Sequence, residues 1–313
     1  MINVVSLFDG MSTAQKALEN VGIKVNKYYS SEIKPYAIEL TQHHFPDTIQ
    51  VGDVTKWKEW DIDWKSIDLV LSGSPCQDLS AAGKRAGING KKSSLFFVFV
   101  DILNHIKSLN PNVLFLQENV GSASKLDVGI MSRALGVYPC NINSSLLTAQ
   151  LRNRYYWSNI RTKETMFDLV TDIPQPKDKD IMFKDIITNN GEPFYNFNNL
   201  IYEENNEIRI RTNTKKGYDV VTENDCIDLS FPTSTTRRGR VTKGKSPCLM
   251  ESNNNLYSYK DGIVRELNQV EMERLQGFPD GYTSILSKAK AGSLLGDGWT
   301  LPVIEHIFSF INK

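Results

Sequence analysis

Over the first 120 residues, short apolar runs alternate with segments of helical period, and this alternation restricts the fold more than any other feature. Val4-Val5-Ser6-Leu7-Phe8 is stopped by Asp9-Gly10. Ala14, Ala17, Leu18 and Val21 then recur at helical spacing until Gly22 ends them. Val25 to Ser31 predicts a second strand, Ala37 to Phe45 a helix, Ile49 to Val51 a third strand, and Ile67 to Leu71 a fourth. After a glycine- and lysine-rich loop, Leu95 to Leu109 reads as a long apolar helix. Val113 to Leu116 reads as a buried strand ending in Gln117-Glu118-Asn119. Strands alternating with helices predict an α/β fold: a Rossmann-like, mostly parallel sheet with helices on both faces.

Near residue 160 the texture changes. From 161 to 262 the chain is rich in Asn, Thr, Asp, Lys and Arg and has little periodicity, which predicts a small irregular lobe inserted in the main domain. The expected division is therefore 1–160 with 263–313 as the main domain and 161–262 as the lobe. Helical texture returns with Leu267, Val270 and Leu275, and Leu294 to Phe310 reads as a terminal helix beside the turn Gly296-Asp297-Gly298. The 313 residues carry 36 basic and 36 acidic side chains, so any argument for nucleic acid has to come from a local patch. No basic leader precedes the first strand, and no apolar stretch approaches a membrane span, so the expected location is the cytoplasm.

Ligands of open parallel sheets sit outside the carboxyl ends of the strands. Gly10 ends the first strand and permits close approach of a ligand. Glu32 ends the second, where a carboxylate accepts bonds from ribose hydroxyls, and Asp53 ends the third, within reach of an adenine amine. A dinucleotide needs GxGxxG, and the loop has one glycine. An adenosine without phosphates fits better, and S-adenosylmethionine is the commonest such ligand.

Cys76 follows Pro75 in SGSPCQDLS, and on its own it is either a nucleophile at a strand end or a small structural thiol. The four cysteines have no CxxC spacing, which predicts a reducing compartment and no metal cage. None of the four histidines forms a Cys-His motif. Pro75 fixes its own φ and biases Ser74 away from helix, so the loop is held extended.

In chain order, LFDGMST, SGSPCQDLS, QENV, QLRNR, RELNQVEMERLQGFP and LLGDGWTLPVIEHIF match motifs of one family. The chain resembles the cytosine-C5 DNA methyltransferases along nearly its whole length. The resemblance is closest to the branch containing the animal de novo enzymes. It departs from the bacterial pattern at Ser12, where a glycine is usual, and at Asp297-Gly298-Trp299, which replaces Asn-Ser/Ala-Val. The chemistry of such enzymes starts with thiolate addition to C6 of a flipped-out cytosine, which makes C5 nucleophilic. The resemblance implies that Cys76 is the nucleophile, that Glu118 acts at N3 as general acid, and that Arg154 bonds O2 while Arg152 supports the flipped nucleotide. Both arginines are expected on one strand, facing the same side. For the cofactor it implies contacts from Phe8, Asp9, Gly10, Met11, Thr13, Glu32, Asp53, Val54, Pro75, Leu95, Asp297, Gly298 and Trp299.

Double-stranded DNA is the expected partner. The basic, glycine-rich stretch Ser80 to Ser94 is expected to close over it, with Gly83, Gly87 and Gly90 as flexible points and Lys84, Arg85, Lys91 and Lys92 reaching phosphates. In TSTTRRGRVTKGK, Arg237 is expected at a guanine edge, and Arg238, Arg240, Lys243 and Lys245 at phosphates. Neither a membrane nor a metal is expected, and a monomer is favoured. A restriction endonuclease partner or phage self-protection fits the absence of any chromatin-reading segment. The competing readings are the same chemistry on RNA, a silent DNA-binding paralogue, and a nicotinamide dehydrogenase.

Overall fold

The computed structural model describes residues 1–75, 95–188, 200–231, 234, 239–251 and 255–311. They divide into two compact units: Met1–Asn143, Asn153–Pro176 and Trp299–Lys313 form the first, and Ser144–Arg152 with Lys177–Gly298 the second.

The first unit is built on a seven-stranded sheet. Its elements are β1 (Ile2–Leu7), α1 (Thr13–Asn20), β2 (Val25–Ser31), α2 (Pro35–His44), β3 (Ile49–Gln50), β4 (Leu69–Ser72), α3 (Leu95–Leu109), β5 (Leu114–Val120), α4 (Lys125–Leu135), β6 (Cys140–Asn143) and β7 (Asn153–Ser158). The strand order is β3-β2-β1-β4-β5-β7-β6. Pairing is parallel from β3 through β5, and β7 runs antiparallel to both β5 and β6. Every residue of β4 is buried, as a strand covered on both faces requires. The α/β fold with a mostly parallel sheet is as expected. The chain leaves β1 toward β2 on one side and returns through β4 on the other, so the carboxyl ends of β1 and β4 bound a topological switch point.

The turn after β1 is tightly wound. Phe8, Gly10 and Ser12 all have φ between 53° and 59°. Ser12 occupies the position where the family has a glycine, and a left-handed conformation strains a side chain there. Its hydroxyl compensates by donating to Asp9 and accepting from Thr41 at 3.2 Å. Asp9 is a hub: Ser6, Ser12, Tyr28 and Ser30 each give its carboxylate a hydroxyl hydrogen bond, two to each oxygen. The Asp9 carboxylate is thus bonded from inside the fold.

A hairpin of β8 (Thr162–Glu164) and β9 (Leu169–Thr171) completes the first unit with the last helix, α8 (Leu301–Phe308). Tyr138 binds β9 through two backbone hydrogen bonds of 2.8 Å, which is why 161–176 stay with the sheet rather than with the polar stretch that follows.

The second unit contains α5 (Phe183–Ile186), a sheet of β10 (Ile201–Glu204), β11 (Glu207–Arg211) and β12 (Tyr218–Val221), and a sheet in the order β14-β13-β15-β16. The latter strands are β13 (Cys226–Asp228), β14 (Arg240–Thr242), β15 (Leu256–Lys260) and β16 (Ile263–Glu266), followed by α6 (Gln269–Gln276) and α7 (Lys288–Asp297). Residues 263–298 thus fall in this unit, not with the main sheet. β16 pairs with β15, and Arg265 forms a buried ion pair of 2.5 Å with Glu271, which also accepts from Thr188 N–H at 2.7 Å. The single terminal helix expected from Leu294 is two helices, with Gly298 capping α7 before α8 begins.

Burial pushes the Asp9 carboxyl above its ordinary value of 3.8, against the four hydroxyls that lower it. A raised native pKa means that the folded state holds this proton more tightly, so the contribution is present at low pH and lost as pH rises through the native value. In urea titrations at steps from pH 3.5 to 7, wild type is therefore expected to lose stability relative to Asp9→Asn as pH rises. A difference that stays flat with pH would contradict it.

Candidate active site

Ser72, Gly73, Ser74 and Pro75 leave the carboxyl end of β4, and Gln117, Glu118 and Asn119 lie at the end of the neighbouring β5, with Ser72 opposite Gln117. The amide of Gln117 donates to the Ser74 hydroxyl at 2.9 Å. Asn119 reaches the Ser74 carbonyl and hydroxyl at 3.4 Å. The two outer residues of the QEN string therefore hold the segment that leads to Cys76. Cys76 itself lies outside the described residues, as do Ser80, Lys84, Arg85, Arg237, Arg238 and the other basic and glycine positions expected between 80 and 94.

Glu118 and Arg154 meet because of strand register. Glu118 lies opposite Tyr156, so Arg154, two residues along β7, is its diagonal neighbour on the same face. Arg154 Nε lies 2.8 Å from Glu118 Oε1, and both side chains are largely buried. Trp299 Nε1 donates to Glu118 Oε2 at 3.2 Å. The indole fits because residue 73 is glycine: a Cβ there would lie 2.9 Å from Trp299 Nε1.

Arg152 departs from the expectation. β7 begins at Asn153, so Arg152 does not alternate with Arg154 on a strand. Its buried guanidinium bonds the Cys248 sulfur at 3.1 Å and the carbonyls of Leu249, Gly296 and Gly298 at 3.2, 3.1 and 2.8 Å. Glycine is required at 296, where a Cβ would lie 2.1 Å from the Met250 carbonyl oxygen. Arg152 is a structural clamp, Gly298 lends its carbonyl to that clamp, and Asp297 closes α7.

Three basic residues of the stretch 233–245 have partners within the second unit. Arg240 and Lys243 form 2.5 Å ion pairs with the buried carboxylates of Asp228 and Asp225. Lys245 donates to the carbonyls of Ser145, Thr148 and Ile181 at 2.8, 3.2 and 2.6 Å, which corrects its expected role at a phosphate.

At the switch point, the space beside Gly10 is open, with nothing within 4 Å of a Cβ built there. Its N–H donates to Glu32 Oε2 at 2.8 Å, and Glu32 Oε1 accepts from the backbone of Ile33 and Lys34. Asp53 lies three residues past β3 and caps a 3₁₀ helix, Val54–Glu59. The Thr55 backbone N–H, aided by its hydroxyl, holds the exposed Asp53 carboxyl below the usual range. Phe8 and Leu95 are partly buried against the core and Pro75 is half-buried. Met11, Thr13 and Val54 are buried, so their side chains serve packing. The contact between Gly73 and Trp299 is not legible in the sequence, which shows Gly73 only as the residue before SPC and Trp299 only as a departure from the family pattern.

A family model described as C-5 cytosine-specific DNA methylase matches residues 2–313. The chain belongs to that family. The Type II methyltransferase M.HpaII of Haemophilus parainfluenzae is 26% identical over 318 residues, covering 96% of this chain and 86% of that protein. M.HhaI of Haemophilus parahaemolyticus is 25% identical over 332 residues, covering 98% and 93%. M.NlaIV of Neisseria lactamica is 37% identical over 123 residues, 38% of this chain; the match spans 28% of that relative's length. Among solved structures, the Entamoeba histolytica methyltransferase EhMeth has a TM-score of 0.64 at 18% identity, covering 99% of this chain and 98% of that one. A Spodoptera frugiperda DNMT2 mutant has 0.62 at 16%, covering 99% of each. At these identities the two structures speak for the fold. Among the described residues, no helix is long and apolar enough to cross a membrane, and no group of three or more His, Cys, Asp or Glu could hold a metal ion.

Replacing Arg152 with Met removes a charged donor from three carbonyls. The expected cost is about 3 kcal/mol in urea denaturation. A loss under about 0.5 kcal/mol, the level of an ordinary surface change, would mean that the clamp contributes nothing.

Proposed function

We propose that this chain methylates C5 of cytosine within a specific duplex DNA sequence, using S-adenosylmethionine. The observation that carries the reading is the Glu118–Arg154 pair beside the segment that leads to Cys76. The N3 and O2 atoms of cytosine are adjacent acceptors, and a carboxylic acid next to a guanidinium offers them adjacent donors.

The cofactor reading rests on the carboxyl edge of the sheet. Gly10 leaves room for close approach, Glu32 and Asp53 follow the carboxyl ends of β2 and β3, where carboxylates would meet ribose hydroxyls and an adenine amine, and the loop has no second glycine for a pyrophosphate. When bound, S-adenosylmethionine supplies an electrophilic methyl group. The protein's own work is at the base. The Cys76 thiolate adds to C6, Glu118 donates to N3, and Arg154 stabilises the charge that develops at O2. Once the C5 proton has left, the electron pair returns to the ring and the thiolate departs. The base must leave the helix to be reached. Arg237 reading a guanine edge supplies sequence preference, and Arg238 meeting a phosphate fixes the register on the duplex.

The test is transfer of labelled methyl groups to unmethylated duplex DNA, with bisulfite sequencing of the product and an RNA substrate in parallel. Wild type is expected to label cytosines in one short DNA context, Cys76→Ala to be silent, and Glu118→Gln to be slower by about 100-fold. Labelling of RNA alone, or of neither substrate, would sink the DNA reading.

A further inference from the structure

We propose that Trp299 is a positioning residue for Glu118, and that its indole N–H sets the orientation of the carboxyl group presented to the base. The inference rests on the methyltransferase reading above and gives Trp299 a different task from the cofactor contact that the family resemblance implies.

The last torsion of Glu is broad and roughly two-fold, so the plane of its carboxyl group is not determined by its own rotamer. Among the described residues, two donors from different elements engage the Glu118 carboxyl group. Arg154 Nε, on β7, engages Oε1, and Trp299 Nε1, just ahead of α8, engages Oε2. One donor on each oxygen resists rotation in a way that either alone does not.

Trp299 is itself well supported. It leads into α8, whose buried face of Leu301, Val303, Ile304, Ile307 and Phe308 is packed into the first unit. Thr300 is buried as well. On its other side the indole edge rests on Gly73, next to the Ser74 that Gln117 holds and three residues before Cys76. The ring thus touches both halves of the candidate site: the strand end that leads to the expected nucleophile and the acid expected at N3. A valine, the family's common residue here, offers no donor. The aromatic substitution and the glycine that makes room for it form a pair.

Trp299→Phe keeps a ring against Gly73 and removes the N–H. It is expected to lower kcat about tenfold, the size of one lost hydrogen bond to a charged group, with the KM for S-adenosylmethionine and the calorimetric affinity for S-adenosylhomocysteine unchanged within about twofold. Gly73→Ala, which displaces the indole, is expected to act in the same direction and to be non-additive with Trp299→Phe. A tenfold loss of affinity for S-adenosylhomocysteine with kcat unchanged would overturn the proposal in favour of a cofactor contact. A second readout needs no activity. The protein has five tryptophans. In ¹⁵N–¹H spectra the Trp299 indole resonance, assigned by its absence in Trp299→Phe, is expected to move in Glu118→Gln more than that of Trp157, which donates to Ser132. A Trp299 resonance that stays in place would end the proposal even in an active enzyme. A moved resonance in a protein that methylates nothing would sink the function and leave this contact standing.

Discussion

A parallel sheet buried on both faces has one usable edge for chemistry, its carboxyl end, and every polar group brought there has to be satisfied in a dry environment. This constraint explains the placement of side chains around the switch point. Asp9 is satisfied by hydroxyls from β1, β2 and the turn between β1 and α1. The side-chain amide nitrogens of Gln117 and Asn119 donate to Ser74. Glu118 and Arg154 are satisfied through each other, with Trp299 on the remaining carboxyl oxygen. Side chains that differ only slightly in direction are sorted into scaffold and site by which partners the neighbouring strand offers.

Much of this was legible in the sequence, and the failures have definite causes. β2 and α3 occupy the expected residues because an apolar run and a helical period are local signals. Glu118 and Arg154 could be named from short motifs, but not brought together, since their contact depends on the register of two antiparallel strands. Arg152 was misplaced by a simple period of two: the strand begins one residue later, and that single residue separates a clamp from a site. The direction of the Asp9 side chain is not legible, because position at a strand end says nothing of direction. The left-handed residues on either side of it turn the carboxyl inward, and only Tyr28 and Ser30 on β2 hinted at the hydroxyls it would meet. The boundary of the second unit was missed because polar texture describes solvent exposure, whereas β9 and β16 are held by pairing.

Arg152 and Arg154 illustrate how a guanidinium divides its use. Both carry planar, permanently charged donor sets. One is surrounded by carbonyl oxygens and a sulfur, and so ties down the ends of loops. The other is placed against a carboxylate, where a base edge with adjacent acceptors can be read. The same residue type, two positions apart, ties carbonyls together in one place and pairs with a carboxylate in the other.

The internal use of basic residues also bears on how the chain meets a polyanion. The stretch 233–245 contains five arginines and lysines. Yet Arg240 and Lys243 face buried carboxylates, and Lys245 is spent on three carbonyls. Affinity for nucleic acid varies with salt through the counterions that basic groups displace, close to one per phosphate neutralised. A count of basic letters overstates that number here, because charges already balanced within the fold release few ions on binding. For the DNA binding proposed above, the ion-paired cations of this stretch would make association less sensitive to ionic strength than its composition suggests.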